Sequence, residues 1–330
     1  MNQNQMKAIV VSDNGVRLKE VDLPELKPTQ VLVRVASSSV NRSDLMTSQG
    51  QNFGHVGGPQ KVMGASFCGE IVAVGDATQG FSVGDRVMAQ GAAGWAEYAT
   101  ADWRRVLPIP AKSIDFINAA TLMSSVLTMH NAIVTDGKFA AGQTILIQGA
   151  SSGVGLMGTQ IAKYLGAKLV IGTSTNAEKR AKLGAYGADL VLDSRDPNWV
   201  AQVLEATDGA GVNLIIDNIS GYVVNQNMAA TAIRGTIVNV GRLGGQKTEF
   251  DCEMHAERRL TYIGVTGRTR SIEEHALVTR RAKEDLWEAV RDGKLKVPVD
   301  RIFDLKDAAE ALKYSASNTQ FGRIVLKVGA

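Results

Sequence analysis

Between residues 144 and 240 the chain alternates short apolar runs with amphipathic ones, an order that few architectures accept. Strand-like runs at 144–148, 168–172, 190–192, 213–217 and 236–240 are separated by helix-like runs at 154–165 and 177–186, by one opening at Asp196-Pro197, and by one after Gly221. Asp196 suits an N-cap and Pro197 the first helical position, while Gly166 and Gly187 are natural helix stops. This succession predicts an α/β unit: a doubly wound parallel sheet with helices on both faces.

The preceding third reads differently. Runs at 6–11, 31–37, 69–74, 86–90 and 97–100, divided by glycine and polar turns, predict an antiparallel or barrel-like β domain. A dense apolar run at 119–134 predicts a largely buried helix before the second architecture begins. Beyond it, Ser271 and Glu274 form a capping box at the start of a helix, and 323–328 reads as a last strand. A chain of 330 residues exceeds what one hydrophobic core usually supports, so two domains are expected.

Charge narrows the partners. A net charge of +3 from 36 basic and 33 acidic residues leaves no basic block for nucleic acid or a membrane surface. No apolar stretch approaches the roughly 20 residues that cross a bilayer, and Met1-Asn2-Gln3-Asn4-Gln5 has no apolar signal character, so a cytoplasmic protein is expected. Cys68 and Cys252 are expected as isolated reduced thiols, and His55, His130, His255 and His275 share no ligand spacing, so no metal site is expected.

The strongest local signal is Gly149-Ala150-Ser151-Ser152-Gly153-Val154-Gly155, placed between a strand and a helix. Small residues there let the backbone approach a pyrophosphate, and the helix start offers unpaired N–H donors to it. Ala150 and Ser152 replace two glycines of the GxGxxG pattern, while Gly153 and Gly155 keep their places. About 20 residues further on, sites selective for NAD place a carboxylate on the ribose. Here the chain has Ser174 and Thr175, followed by Lys179 and Arg180. Hydroxyls with a cation suit a 2′-phosphate, which points to NADPH; the alternative is that Lys179 and Arg180 are solvated helix charges.

With that motif, the order of parts resembles the medium-chain dehydrogenase/reductase superfamily, in its zinc-free, quinone oxidoreductase-like branch. The resemblance rests on Val40-Asn41-Arg42-Ser43-Asp44-Leu45, Val83-Gly84-Asp85-Arg86-Val87, Gly94-Trp95-Ala96-Glu97-Tyr98, Gly209-Ala210-Gly211-Val212-Asn213 and Phe321-Gly322-Arg323-Ile324-Val325-Leu326. It implies a split GroES-like catalytic or substrate domain (1–124 and 265–330) and an inserted Rossmann-type NADPH domain (125–264). Zinc-dependent relatives carry a ligand cysteine where this chain has Asn41, and a His-Glu pair where it has Ala65-Ser66. Neither Ala65 nor Ser66 can replace such ligands.

The resemblance also assigns roles. Ser43 takes the place of a proton-relay hydroxyl, Arg42 lies near the cofactor phosphates, and Thr128 lies beside the nicotinamide. Gly241 lets the backbone reach the nicotinamide, and Asn218 and Arg323 line the cofactor cleft. Asn41 or Ser43 would donate a hydrogen bond to the acceptor oxygen; the alternative is that these residues only fix a turn. Phe53 and Trp95 could shape an apolar acceptor pocket, although Trp95 reads better as core.

Without a Lewis acid to hold a developing alkoxide, alcohol oxidation is disfavoured, whereas a conjugated acceptor spreads the incoming charge onto a distant oxygen. The expected activity is therefore NADPH-dependent reduction of a small quinone or α,β-unsaturated carbonyl. Alternatives are an enoyl-thioester reductase and a non-catalytic NADPH-binding redox sensor. The apolar run at 261–265, expected at a sheet edge, predicts a homodimer.

Overall fold

The computed structural model describes residues 4–13, 15–50 and 61–329. It divides the chain into two compact units, Met1–Ser124 with Gly267–Ala330, and Ser125–Thr266.

The inner unit holds a six-stranded sheet, all parallel, in the order Leu190–Leu192, Leu169–Thr173, Thr144–Gln148, Val212–Asp217, Thr231–Asn239 and Thr261–Gly264. In chain order this is 3-2-1-4-5-6, the doubly wound arrangement whose order reverses between Thr144–Gln148 and Val212–Asp217. Ile145, Leu146 and Ile147 are all buried, as are Leu214, Ile215 and Ile216. Continuous apolar strands are what a sheet covered on both faces requires. Trp199, Val203 and Met228 pack against Leu146, Ile171 and Ile215. Thr261–Gly264 pairs only with Thr231–Asn239 among the described residues, which makes it an edge.

The outer unit contains a seven-stranded sheet and a separate hairpin, Gln5–Ser12 with Gly15–Asp22. In the sheet, Val299–Asp304 pairs parallel with Arg323–Lys327, and the other pairings are antiparallel. The C-terminal strand Arg323–Lys327 lies beside Gln30–Ser39, so both ends of the chain build one sheet. One core gathers Ile9, Leu45, Met63, Trp95, Leu312 and Ile324; another gathers Val33, Phe67, Ile71 and Val87.

Several local expectations change. The apolar run at 119–134 is broken into helices Phe116–Ala120 and Met123–His130, followed by a π-helical turn, Asn131–Asp136. The run at 177–186 is likewise a short helix, Ala177–Arg180, and a separate turn, Leu183–Tyr186. Asp196 is not the N-cap: the helix is Trp199–Ala206 with Asn198 in that position, and the Asp196 carboxylate accepts from the Asn198 amide at 2.9 Å. The capping box at Ser271 is present, opening the twenty-residue helix Ile272–Arg291. Cys68 and Cys252 are free thiols. Among the described residues no helix is long and apolar enough to cross a membrane.

Trp95 is fully buried in the first of these cores, and a Cβ on Gly64 would lie 2.5 Å from its indole ring. Its place is in packing; Phe53 and His55 lie outside the described residues. Trp95→Ala should lower stability by roughly 3–5 kcal/mol in denaturant unfolding, whereas a pocket-wall role would change KM with little loss of stability.

Candidate active site

The carboxyl ends of the parallel strands carry a row of polar side chains. Gln148, Asp217 and Asn239 are register partners on three neighbouring strands, and Thr173 closes the row from a fourth. The Thr173 hydroxyl donates to Gln148 Oε1 at 2.7 Å, and Gln148 Nε2 donates to Asn227 Oδ1 at 2.7 Å. Asp217 Oδ1 accepts from the amides of Ile219 and Ser220, both at 2.8 Å. Burial raises the Asp217 pKa, against the opposing pull of those two amides.

The glycine loop stands on this row. Gly149 adopts a φ of +67°, a conformation that costs glycine little, and its amide donates to Thr173 Oγ1 at 3.1 Å. The Ala150 amide reaches the Thr173 carbonyl at 2.8 Å, and its buried methyl is tolerated because Gly172 faces it. The helix Gly153–Tyr164 starts with Ser152 as N-cap, whose Oγ accepts from the Gly155 amide at 3.1 Å. A Cβ on Gly155 would lie 2.5 Å from the Gly149 carbonyl oxygen, so this position is closed to larger residues. With the Gly155 amide occupied, the amides of Gly153 and Val154 are left as first-turn donors.

The other nucleotide candidates sit around this loop to different degrees. Ser151 and Ser174 share a hydrogen bond at 3.0 Å between their hydroxyls. Thr175 is exposed, and Lys179 is half-buried in the turn capped by Asn176. Arg180 departs from the sequence expectation, for its Nη1 donates to the Ser174 carbonyl at 2.7 Å and to Asp193 Oδ2 at 2.8 Å. Asn218 is buried with its Nδ2 donating to the Gln148 carbonyl at 2.9 Å, which ties the loop after Val212–Asp217 to the glycine loop. Gly241 lies against that segment, where a Cβ would come within 2.4 Å of the Asn218 carbonyl oxygen. Thr128 is half-buried on Met123–His130, with no recorded hydrogen bond to these residues.

The outer unit brings together a second cluster. Asn41 precedes the helix Arg42–Ser48; its amide donates to Asp44 Oδ2 at 2.8 Å, and the Asp44 amide returns to the Asn41 carbonyl at 3.0 Å. Asn41 Oδ1 accepts from Arg323 Nη1 at 2.8 Å. Its Nδ2 donates to Ser66 Oγ at 3.1 Å and to Ser39 Oγ at 3.2 Å, and those two hydroxyls are 2.9 Å apart. Asn41, Asp44, Ser39, Ser66 and Arg323 are all buried.

This geometry bears on several of the expected site residues. Both amide hydrogens of Asn41 are engaged, so it positions its neighbours and has none left for an acceptor oxygen. Arg323 is directed into this network, and Arg42 donates to Asn318 Oδ1 within the same unit. The Ser43 hydroxyl is half-buried and makes no recorded hydrogen bond to the described residues, so it remains the donor candidate. Ser39, Ser66, Asp193 and Asp217 were not singled out as functional from the sequence.

Among the described residues no three His, Cys, Asp or Glu side chains group as metal ligands. Where the resemblance implies ligands in zinc-dependent relatives stand the Asn41 amide, the Ala65 methyl and the Ser66 hydroxyl, with the Arg323 guanidinium hydrogen-bonded to the amide. These are poor partners for zinc, which takes thiolate, imidazole or carboxylate.

Burial raises the Asp44 pKa to about 6 from 3.8, opposed by hydrogen bonds from Asn41 and Ala65 and by the charge of Arg323. Burial also lowers Arg323 to about 10, with Asp44 acting against it. Between pH 4 and 6 the folded chain therefore keeps a proton on Asp44 that the unfolded chain releases, and stability falls as pH rises. Asp44→Asn has no such proton. Comparing unfolding free energies at pH 4 and pH 7 should show the difference moving toward the variant by on the order of 2 kcal/mol; a constant difference would mean Asp44 titrates normally.

Two family models match the chain: an alcohol dehydrogenase GroES-like domain over residues 27–111 and a zinc-binding dehydrogenase over residues 153–283. The chain is 29% identical over 321 residues to a phenolphthiocerol/phthiocerol polyketide synthase of Mycobacterium tuberculosis; the match covers 96% of this chain but only 14% of that protein. It is 27% identical over 319 residues to human quinone oxidoreductase, covering 94% of this chain and 93% of that one. The solved quinone oxidoreductase of Pseudomonas syringae pv. tomato DC3000 has the same fold, with a TM-score of 0.87 at 27% identity, covering 98% and 100% of the two chains. The split β-rich unit, the inserted doubly wound unit and these matches together place the chain in the medium-chain dehydrogenase/reductase superfamily, among its quinone oxidoreductase-like members.

Proposed function

We propose that this chain is an oxidoreductase that uses NADPH, without zinc, to reduce a quinone or an α,β-unsaturated carbonyl compound. The observation that carries this reading is that Asn41, which stands where the resemblance implies a ligand cysteine in zinc-dependent relatives, donates to Ser66 and accepts from the cation Arg323. One matching model is described as a zinc-binding dehydrogenase, but that donor set does not suit the metal.

The residues fit a phosphorylated dinucleotide. The amides of Gly153 and Val154 suit its pyrophosphate, and the hydroxyls of Ser151, Ser174 and Thr175 suit the ribose. Lys179 supplies a cation for the 2′-phosphate. When bound, NADPH supplies the hydride. In the outer unit, Ser43 donates a hydrogen bond to the acceptor oxygen as negative charge gathers there, and water delivers the final proton. Asn41, held by Arg323, Ser39 and Ser66, fixes the start of the helix that carries Ser43. Thr128, Asn218 and Gly241 are given supporting roles at the cofactor in this reading, directly or through the loops they fix.

The match to a polyketide synthase supports a second reading, reduction of an enoyl thioester. The same proposal takes the protein as a cytoplasmic homodimer, with the edge strand Thr261–Gly264 facing a second copy.

Loss of NADPH absorbance with quinones, enones and enoyl thioesters tests the reading. We expect turnover with the first two classes, undiminished by EDTA, and a drop of about 10²-fold in kcat for Ser43→Ala with unchanged NADPH affinity. Turnover restored only by zinc, or wild-type turnover by the variant, would contradict the assignment, and binding without any turnover would favour a redox sensor. Lys179→Ala should weaken NADPH about tenfold or more while sparing NADH; equal losses would make Lys179 a general surface charge.

A further inference from the structure

Arg180 is held by an acid from the neighbouring strand end: Asp193 follows Leu190–Leu192, and its Oδ2 lies 2.8 Å from Arg180 Nη1. The same nitrogen donates to the Ser174 carbonyl at 2.7 Å. Asp193 is fixed at its other oxygen too, since Oδ1 accepts from the Arg195 amide at 2.9 Å. The two side chains are only 24% and 28% exposed, so solvent screens this pair less than a pair on the open surface.

The consequence is electrostatic. A guanidinium fork is the side chain best shaped to grip a phosphate, and here one arm of it is already engaged by a carboxylate and a carbonyl. Ser174 stands where dinucleotide sites discriminate a ribose hydroxyl from its phosphate ester, and its carbonyl shares the Arg180 nitrogen with Asp193. A 2′-phosphate there meets a neutralised arginine with a fixed carboxylate behind it.

We propose that Asp193 is a specificity-determining residue: by holding Arg180 it withholds the guanidinium from the 2′-phosphate and narrows the preference for NADPH over NADH. This inference rests on the dinucleotide reading of the glycine loop.

The test is the ratio of NADH to NADPH dissociation constants, measured by calorimetry on the full chain. Asp193→Asn keeps an oxygen for the Arg195 amide but removes the charge, and it should raise the ratio about tenfold, mainly through tighter NADPH binding. Asp193→Ser can keep the turn through its hydroxyl and should act in the same direction, so the question stays answerable if the first variant folds poorly. In the double variant Asp193→Asn/Arg180→Met the gain should vanish, because the released cation is gone. A ratio that is unchanged or lower in the single variants, or a gain that persists without Arg180, overturns the proposal. Binding of neither nucleotide by the wild-type chain would instead overturn the dinucleotide reading itself.

Discussion

The buried polar row at the carboxyl edge of the parallel sheet decides where the inner unit stops being hydrocarbon and becomes a site. Ile145–Ile147 and Leu214–Ile216 are buried with apolar side chains, and each strand then ends on a polar residue, Gln148 or Asp217. A buried polar atom left unpaired costs on the order of 1–3 kcal/mol, so these side chains must find partners. Most of their atoms find them in each other and in the loops above: Gln148 bridges Thr173 and Asn227, while Asp217 Oδ1 takes two amides of the following turn and Oδ2 is left without a hydrogen bond among the described residues. The loops after three strands are thereby fixed relative to one another.

The outer unit solves a different problem with similar means. Arg323 and Asp44 are both buried, and buried charges contribute little net stability once desolvation is counted. Their value lies in orientation. Arg323 fixes the oxygen of Asn41, which turns the amide hydrogens toward Ser39 and Ser66, while Asp44 closes the first turn of the helix onto the Asn41 amide. The network leaves Ser43, the next residue along the helix but one, with its hydroxyl uncommitted among the described residues.

What the sequence revealed depended on the range of each interaction. The glycine loop was legible because its constraints are local: the positive φ of Gly149 and the contact that Gly155 makes with the Gly149 carbonyl lie within seven residues. The alternation of strands and helices was legible for the same reason. The strand Gly15–Asp22 left no pattern, since much of its length is exposed and nothing forces an alternation of apolar and polar residues. The capping signal at Asp196 misled because a carboxylate that caps a turn and one that caps a helix look alike in sequence. The occupation of Asn41 was illegible in principle: Arg323 lies 282 residues away and Ser66 lies 25 away, on different strands.

Asp217 and Asp193 show why residue type alone does not reveal a carboxylate's task. Both follow the last apolar residues of parallel strands, and neither holds the position where an acid would mark selection for the unphosphorylated ribose. Asp217 is fully buried, with amides of its own loop in reach, so one oxygen is consumed in holding that loop and the group acts on architecture. Asp193 is partly open and has a guanidinium in reach, so its charge is balanced by a side chain that a phosphate would also attract. The donors nearest each carboxylate, set by the fold and not by its neighbours in sequence, separate a structural acid from one that competes with the ligand.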